Sequence, residues 1–286
     1  MSIVTRFAPS PTGWLHLGHV YAAKIAWERA REAGGRFLLR LEDIDPGRCR
    51  PEYAAGIIDD LRWLGLDWDG PIRTQSEHLS EYRATLDALV ARGLLYPCFC
   101  TRAEIEQEAA RSASAPHGPD GPLYPGTCRR LGPGERVARM RAGQSHALRL
   151  DVARSLAEIR APLLYEEERQ GSVLCHPERF GDPILARKDV PASYHLCVTQ
   201  DDAGQGVTLV TRGDDLKPAT DLQRLLQALM NWPAPRYAHH ELLRDADGRR
   251  LSKRDRALTI RELRAGGCSP EQVLTMADLT RGGTCA

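Results

Sequence analysis

The amino-acid sequence predicts an α/β fold built on a parallel sheet, and two observations lead to that prediction. A buried strand pattern at residues 3–7, a helical stretch at 19–33 and a second strand at 36–41 follow one another directly. Strand, helix and strand within about 40 residues form a βαβ unit, whose strands are parallel and joined by a right-handed crossover. Strand patterns return at 207–212 and near 237–243, so we expect the sheet to continue late in the chain.

Start and stop signals set the bounds of the early helices. The helix at 19–33 ends where Gly34 and the glycine after it interrupt the pattern. A second helix is expected at 51–64, because Pro51 suits the first turn of a helix. A third, at 79–92, stops at a glycine.

The composition changes between residues 95 and 190. Thr101 and Glu104 form a capping box, which predicts the start of a short helix. Residues 112–134 are rich in Pro, Gly, Ser and Ala, and such a segment cannot build a core alone. We therefore expect an insertion at 95–190 that interrupts the α/β fold.

After the insertion the α/β pattern returns. The expected elements are strands at 194–199, 207–212 and near 237–243, a helix at 220–230, and short helices at 259–265 and 269–277. The chain is thus expected to divide into four segments, which are the first half of the core (1–94), the insertion (95–190), the second half of the core (191–245) and a short helical C-terminus (246–286).

Composition describes an ordinary globular chain of 286 residues, with 42% hydrophobic and 27% charged residues. It has no bilayer-length apolar run and no signal-peptide pattern, so we expect a cytoplasmic enzyme, by default a monomer. The net charge of +1 does not indicate a nucleic-acid binder. Arginine clusters at 129–130 and 136–141 could form a basic patch, although a solvated charged face is the commoner explanation.

Two short motifs at opposite ends of the chain carry the chemistry. The run RFAPSPTGWLHLGH at 6–19 places His16 and His19 around Gly18, where a Pro/Gly turn meets a helix N-terminus and backbone N–H groups form an anion site. The run RLSKRD at 250–255 supplies Lys253 and Arg254. Two cationic clamps favour nucleotide activation by electrostatic stabilisation, without a covalent nucleophile. Alone, an H-x-x-H pair would more often be a capping or surface pair.

Three of the eight cysteines have the spacing of metal ligands. Cys98 and Cys100 form a C-x-C pair and Cys128 follows in the Pro/Gly-rich stretch, so we expect a structural zinc site. Ordinary ligand chemistry nominates His117 or Asp120 as the fourth ligand, and a water molecule is a further alternative. The other five cysteines are expected to be reduced packing or surface residues.

Together these motifs resemble the class I aminoacyl-tRNA synthetases, and RFAPSPTGxLHxG with the acidic run at 42–45 resembles their glutamyl branch. The matching blocks cover most of residues 3–260. The chain ends at residue 286, 32 residues beyond Arg254, where glutamyl-tRNA synthetases continue into a long anticodon-binding region. It therefore resembles the stand-alone catalytic-core group, the glutamyl-queuosine tRNA(Asp) synthetases.

The resemblance implies a Rossmann-type nucleotide-binding core interrupted by a zinc-containing insertion. It implies ATP held with Mg²⁺, and Lys253 stabilising the departing pyrophosphate. The implied residue roles are catalysis (His16, His19, Lys253, Arg254), ATP binding (His16, Gly18, His19, Ser252, Lys253), glutamate binding (Arg6, Ala8, Ser10, Glu42, Tyr194, Arg212) and zinc binding (Cys98, Cys100, Tyr124, Cys128).

The residues themselves agree with part of this assignment. Arg6 and Arg212 each come at the end of a hydrophobic strand, at the sheet edge where α/β proteins bind ligands, and a guanidinium suits a carboxylate. Glu42 ends the second strand and can pair with an ammonium, and Tyr194 can add a hydroxyl. The alternative is that each is a strand-end surface group. Asp43 and Asp45 are expected to serve loop structure or the ribose region.

By resemblance, the expected activity is formation of glutamyl-adenylate without tRNA, then transfer of glutamate to the queuosine base of tRNA(Asp). The partners are accordingly ATP, L-glutamate and queuosine-containing tRNA(Asp), with no membrane. Alternatives are a truncated glutamyl-tRNA synthetase that charges a 3′ end, another adenylate-forming enzyme with a small-molecule acceptor, and a non-catalytic RNA-binding module.

Overall fold

The computed structural model describes residues 2–111, 117–119, 121–242 and 258–279. In these ranges the strands, in chain order, are β1 (Val4–Phe7), β2 (Arg36–Leu41), β3 (Arg73–Thr74), β4 (Leu95–Cys98), β5 (His117–Gly118), β6 (Gly121–Pro122), β7 (Ala147–Leu150), β8 (Leu164–Glu167), β9 (Gly171–Leu174), β10 (Ile184–Ala186), β11 (Leu209–Gly213) and β12 (Arg236–His240).

The α-helices of the same ranges are α1 (Leu17–Glu32), α2 (Pro51–Trp63), α3 (Leu79–Ala91), α4 (Arg102–Arg111), α5 (Pro133–Arg141), α6 (Val152–Glu158), α7 (Tyr194–Gly204), α8 (Ala219–Met230), α9 (Ile260–Ala265) and α10 (Pro270–Leu279). Among them, no helix has both the length and the apolar character that crossing a lipid bilayer requires.

Two sheets with parallel pairing lie side by side. Strands β1, β2 and β3 form a parallel sheet. A second sheet has the order β11–β12–β8–β9, in which only the β8–β9 pair is antiparallel. The sheets meet where Thr208 N–H donates to the carbonyl oxygen of Val4 over 3.0 Å and Val4 N–H donates to Thr208 Oγ1 over 2.8 Å.

Helices cover the first sheet on both faces, because successive strand residues point to opposite sides. Leu39 of β2 lies in a core with α1, α2 and the two C-terminal helices, which contribute Val20, Ile57 and Val273. Leu38, its neighbour in the chain, lies in a second core built largely by α3, α7 and α8. Strands β1 and β2 are therefore buried on both sides.

The predictions for the α/β segments are confirmed to within a few residues. The predicted strands at 3–7, 36–41 and 207–212 correspond to β1, β2 and β11, and the one near 237–243 corresponds to β12. The helix predicted at 79–92 is α3, and Gly93 after it has a φ of 67°, a left-handed conformation that glycine adopts without strain. The Thr101–Glu104 capping box is present, with Glu104 N–H donating to Thr101 Oγ1 over 3.2 Å.

The strand predicted at 194–199 is wrong, because these residues begin helix α7. The Ser193 side chain caps this helix by accepting a hydrogen bond from Leu196 N–H over 3.4 Å. Residues 196–199 are all buried, so the helix shows no polar face in this stretch. A short apolar run of this kind does not distinguish a buried strand from a buried helix.

The segment predicted as an insertion contributes to three different sheets, one of which is the two-stranded pair β5–β6. Strands β4, β7 and β10 form an antiparallel sheet, next to a small core that includes Tyr96, Phe99 and Tyr124. The β8–β9 hairpin instead joins the second sheet, where Tyr237 of β12 lies opposite Glu167.

The C-terminal helices pack against the first motif. Thr259 forms an isolated antiparallel bridge with His16, and Ile260 N–H donates to the carbonyl oxygen of Leu15 over 2.9 Å. Thr259 and Glu262 form a capping box that starts α9. The bridge places the start of α9 beside the N-terminus of α1, and α10 packs against α1.

Candidate active site

The H-L-G-H motif forms the N-terminal turn of α1. His16 is the N-cap residue, and its Nδ1 accepts a hydrogen bond from Gly18 N–H over 3.1 Å. A Cβ atom on residue 18 would lie 3.0 Å from His16 Cε1, so glycine lets the imidazole fold over the first turn. His19 Nδ1 in turn accepts from the backbone N–H of His16 over 3.3 Å.

These hydrogen bonds determine which nitrogen of each neutral ring carries a proton. Because Nδ1 is an acceptor in both His16 and His19, the proton lies on Nε2 in both. The two rings lie with their centroids 3.8 Å apart. The turn thus combines two imidazole N–H donors with the positive end of a helix, an arrangement suited to phosphate oxygens.

Arg6 is a buried member of β1 and not a surface charge. It is 5% exposed, and its Nε donates to Asp202 Oδ1 of α7 over 3.0 Å. Arg40 of β2, fully buried, also contacts Asp202 Oδ1, with its Nη2 at 2.9 Å. Although burial alone would raise the pKa of Asp202, these two guanidinium groups lower it below its ordinary value.

Glu42 directly follows β2 and lies beside this network. It is 7% exposed, and its Oε1 lies 3.4 Å from Arg40 Nη2. Burial raises the pKa of Glu42 to about 7, even though Arg40 and Arg6 act in the opposite direction. The carboxyl group therefore changes between its neutral and charged forms near neutral pH.

Arg212 occupies β11, across the sheet boundary from Arg6. It is 5% exposed, and its guanidinium donates to Thr220 Oγ1 over 2.6 Å and to Gln223 Oε1 over 2.9 Å. Both acceptors belong to α8. Like Arg6, it is a held, buried cation whose remaining donors are suited to an anionic ligand.

One cavity of about 600 Å³ brings these groups together. The sequence-predicted residues on its wall are Arg6, Ala8, Ser10, His16, Gly18, His19, Glu42, Tyr194 and Arg212. Tyr194 reaches it as the first residue of α7, and not from a strand as predicted. The volume is that of an ordinary small-molecule site.

The second motif, with Ser252, Lys253 and Arg254, lies outside the described residues. The described residues on either side of it are both close to the cavity. Leu242 lines the cavity, and Thr259 is bridged to His16, which lines it as well.

Three predicted metal ligands converge within residues 95–190. The Sγ atoms of Cys98, Cys100 and Cys128 all lie within 4.8 Å of one another. Tyr124 Oη lies 3.5 Å from Cys100 Sγ and accepts a hydrogen bond from Cys128 N–H over 2.8 Å. The Arg149 guanidinium lies 3.8 Å from the centre of the Tyr124 ring, where a cation offsets negative charge on the ligands.

This donor set fits a structural metal ion. Three thiols and a phenol, of which Cys98 and Cys128 are fully buried, match a closed tetrahedral zinc site. Phe99 N–H donates to Cys128 Sγ over 3.3 Å, the kind of second contact that stabilises a thiolate ligand. The alternatives Asp120 and the side chain of His117 lie outside the described residues. The seven cysteines that the structure describes are all free thiols.

Sequence reasoning missed the residues that hold the site groups in place. Arg40 and Asp202 support Arg6 and Glu42, and Asp201 accepts hydrogen bonds from Gln75 and from Tyr82. The available signal was the charge itself, because an arginine inside the strand sequence RFLLRL requires a buried partner.

The comparisons with known proteins agree on one family. A family model described as tRNA synthetases class I (E and Q), catalytic domain, matches residues 2–285. A glutamyl-Q tRNA(Asp) synthetase of Rhodobacter capsulatus is 48% identical, covering 97% of this chain and 100% of that protein. One of Nocardia farcinica is 46% identical, covering 95% of this chain and 82% of that protein.

A solved structure extends the comparison to the fold. The crystal structure of a glutamate tRNA ligase from Elizabethkingia meningosepticum, in complex with its amino acid, has a TM-score of 0.81 at 26% identity. The match covers 97% of this chain and 60% of the ligase, so the chain spans less than two thirds of that protein. On the family match and these identities, the chain belongs to the catalytic-domain family of the class I tRNA synthetases for E and Q.

Proposed function

We propose that the protein activates L-glutamate with ATP, forming glutamyl-adenylate without tRNA, and then transfers glutamate to the queuosine base in the anticodon of tRNA(Asp). The observation that carries this proposal is the single cavity in which the buried cations Arg6 and Arg212 meet the His16–His19 turn. One site with carboxylate-binding and phosphate-binding ends suits the two substrates of adenylate formation.

Glutamate would occupy the end of the cavity at Arg6, Glu42 and Arg212. Arg212, Arg6 and the Tyr194 hydroxyl bind its side-chain carboxylate, and ionised Glu42 pairs with the α-ammonium. Ala8 and Ser10 belong to the turn that lines the same end. Support comes from burial, because Arg6 and Arg212 are each only 5% exposed. Arg6 is paired with Asp202, whereas Thr220 and Gln223, which accept hydrogen bonds from Arg212, are uncharged, so a substrate carboxylate would give Arg212 an anionic partner.

ATP would occupy the other end, with its phosphates on the Nε2–H groups of His16 and His19 and close to Gly18. An oxygen of the glutamate α-carboxylate attacks the α-phosphorus, the bond to the β-phosphate oxygen breaks, and pyrophosphate leaves. Mg²⁺, held by the ATP phosphates, would supply neutralisation of phosphate charge. The protein contributes orientation and electrostatic stabilisation.

We assign stabilisation of the leaving pyrophosphate to Lys253, with Ser252 and Arg254 beside it. The support is chain length. Thr259 forms a bridge with His16, Lys253 is six residues before Thr259 in the sequence, and six residues of extended chain span at most about 22 Å.

The finer fold assignment belongs to the same proposal. We infer a Rossmann-type core with the strand order β3–β2–β1–β11–β12–β8, supported by the Thr208–Val4 hydrogen bonds between the sheets. The proposed segments are 1–94, 95–190, 191–245 and 246–286, of which 95–190 carries the zinc site. Cys98, Cys100, Tyr124 and Cys128 would hold that ion, which would stabilise the Pro/Gly-rich stretch around Tyr124 next to the small core of Tyr96 and Phe99.

The acceptor assignment is supported by relatives named glutamyl-Q tRNA(Asp) synthetase, one of which matches this chain over its whole length. A queuosine hydroxyl attacks the adenylate carbonyl, and AMP leaves. A glutamate–tRNA ligase of Aquifex aeolicus, 38% identical over 55% of its length, supports charging of a tRNA 3′ end as the second candidate.

Two experiments test the proposal in order. ATP–pyrophosphate exchange that depends on glutamate, without tRNA, is expected, and its absence would exclude the enzyme as described. Radiolabelled glutamate is then offered to tRNA with and without queuosine, and to queuosine-containing tRNA that lacks its 3′-terminal adenosine. Label that requires queuosine and tolerates the loss of the terminal adenosine supports the acceptor assignment, whereas label that requires the terminal adenosine supports the second candidate.

A further inference from the structure

Arg212 is held by a third group, which comes from a neighbouring strand. Its Nε donates to Nε2 of His239 on β12, over 3.2 Å. Together with Thr220 and Gln223, His239 takes three of the five guanidinium N–H donors, which leaves two for a carboxylate. The Tyr237 ring lies 5.3 Å from the Arg212 guanidinium and stacks on the His239 ring.

His239 is itself oriented by a buried carboxylate. Its Nδ1 lies 2.5 Å from Glu167 Oε2, and its backbone N–H donates to Glu167 Oε1 over 3.3 Å. Both residues are 3% exposed. Because Nε2 accepts from Arg212, the proton of neutral His239 lies on Nδ1 and is donated to Glu167. The three side chains thus form a directed chain from Glu167 through His239 to Arg212.

A neutral His239 ring is consistent with these hydrogen-bond directions, in which Nδ1 donates and Nε2 accepts. Burial lowers the pKa of His239 to about 4, Arg212 and Lys217 act in the same direction, and Glu167 opposes them. At neutral pH the ring is therefore neutral and keeps an unprotonated Nε2. A protonated ring would instead face Arg212 with a second donor.

We propose that His239 and Glu167 are positioning residues, which fix the rotation of the Arg212 guanidinium so that its two remaining donors meet the substrate's side-chain carboxylate. This inference rests on the proposed role of Arg212 in glutamate binding. With hydrogen bonds to α8 at its two Nη atoms only, the guanidinium plane can still rotate about the line that joins those two atoms. A third hydrogen bond, at Nε, fixes the orientation of the plane.

The fold makes this arrangement through strand register. Glu167 ends β8 and lies opposite Tyr237 on the parallel strand β12, so His239 is two residues further along on the same face. Arg212 lies opposite His239 on β11. The β8–β9 hairpin, which follows the metal-binding segment, thereby supplies the last member of a glutamate-pocket network.

The test compares two variants of His239 in ATP–pyrophosphate exchange. His239→Phe keeps a ring to stack on Tyr237 but removes both nitrogens, and it should raise the KM for glutamate about tenfold or more, the size of one hydrogen bond to a charged group. The KM for ATP should stay within about twofold. His239→Gln restores an acceptor and should bring the glutamate KM to within about threefold of the wild-type value.

A double-mutant cycle separates positioning from a merely structural role. In the Arg212→Gln background, His239→Phe should change the glutamate KM by less than about twofold, because its effect passes through the arginine. Additive effects, an unchanged glutamate KM in His239→Phe, or equal rises in both KM values would overturn the inference. If Arg212→Gln itself leaves the glutamate KM unchanged, the proposed role of Arg212 fails instead.

A measurement on the wild-type protein does not depend on how the variants fold. In ¹⁵N-histidine-labelled protein at neutral pH, the imidazole resonances of His239 should show a protonated Nδ1 and an unprotonated Nε2. The opposite tautomer, or a doubly protonated ring, would contradict the arrangement.

Discussion

Protonation of Glu42 should control glutamate binding near neutral pH. In the empty site burial raises the pKa of Glu42 to about 7, so about half of the molecules carry a neutral carboxyl group at pH 7. The α-ammonium of glutamate pairs only with the ionised form. Binding therefore selects the carboxylate and lowers its pKa, which makes affinity rise with pH.

The size of the effect follows from that pKa. With a pKa of about 7, the ionised fraction is about 0.9 at pH 8 and about 0.1 at pH 6. The Kd for glutamate should therefore rise about tenfold from pH 8 to pH 6. Binding at pH 7 should release about half a proton per site. Free L-glutamate keeps two carboxylates and one ammonium over this range, because the ammonium of a free amino acid is a weaker acid than a peptide N-terminus.

Isothermal titration calorimetry measures both quantities. Titrations of glutamate without ATP at pH 6, 7 and 8, in two buffers of different ionisation enthalpy, give the Kd and the number of protons released. Glu42→Gln should bind weakly and without pH dependence. A wild-type Kd that is constant between pH 6 and 8, or a Glu42→Gln variant that keeps the wild-type profile, would refute the reasoning.

Three further predictions concern other parts of the chain. Lys253→Ala should reduce glutamate-dependent exchange by about 10²-fold or more, as expected for one transition-state donor; near-normal exchange in a variant with the wild-type Tm would exclude its proposed role. Cys128→Ser should lose bound zinc in elemental analysis and have a lower Tm, whereas Cys268→Ser, outside the cluster, should keep the bound zinc and the wild-type Tm. Wild-type protein that contains no zinc would contradict the proposed metal site. Asp60 is 1% exposed, none of the residues that the structure describes donates a hydrogen bond to either of its carboxylate oxygens, and burial raises its pKa to about 6. The folded state thus favours the protonated form of Asp60 and loses stability as pH rises from about 4 through about 6. Asp60→Asn should therefore raise the Tm above pH 6 and leave it unchanged below pH 4, and the control Asp87→Asn, at an exposed position, should have no such effect. Equal Tm shifts of Asp60→Asn at both pH values would contradict the assignment.

Much of the fold could be predicted from the sequence because local signals agreed with tertiary packing. Strand β2 is a mostly apolar run that follows a glycine turn, and α3 is followed by a glycine with positive φ. Helix α7 was mistaken for a strand, because burial of residues 196–199 removes the polar face that reveals helical periodicity.

The residues of the candidate site likewise fall into two groups, those that the sequence reveals and those that only the folded structure reveals. Residues with a distinctive motif, such as His16 and His19, could be found by inspection, and Arg6 and Arg212 by their place at the ends of strands. His239 and Glu167 could not be found, because their contact depends on the register of β8 and β12, 72 residues apart in the chain. Neither residue belongs to a recognisable sequence motif, and the two come into contact only because strands β8 and β12 pair.

The central claim is that one cavity holds both reactants, and a crystal structure with L-glutamate and a non-hydrolysable ATP analogue tests it most directly. We predict a glutamate α-carboxylate oxygen within about 3.5 Å of the α-phosphorus. The phosphates should contact Nε2 of His16 and His19, and the side-chain carboxylate should contact Arg212. Glutamate and nucleotide bound in separate cavities, or phosphates remote from both histidines, would contradict the account.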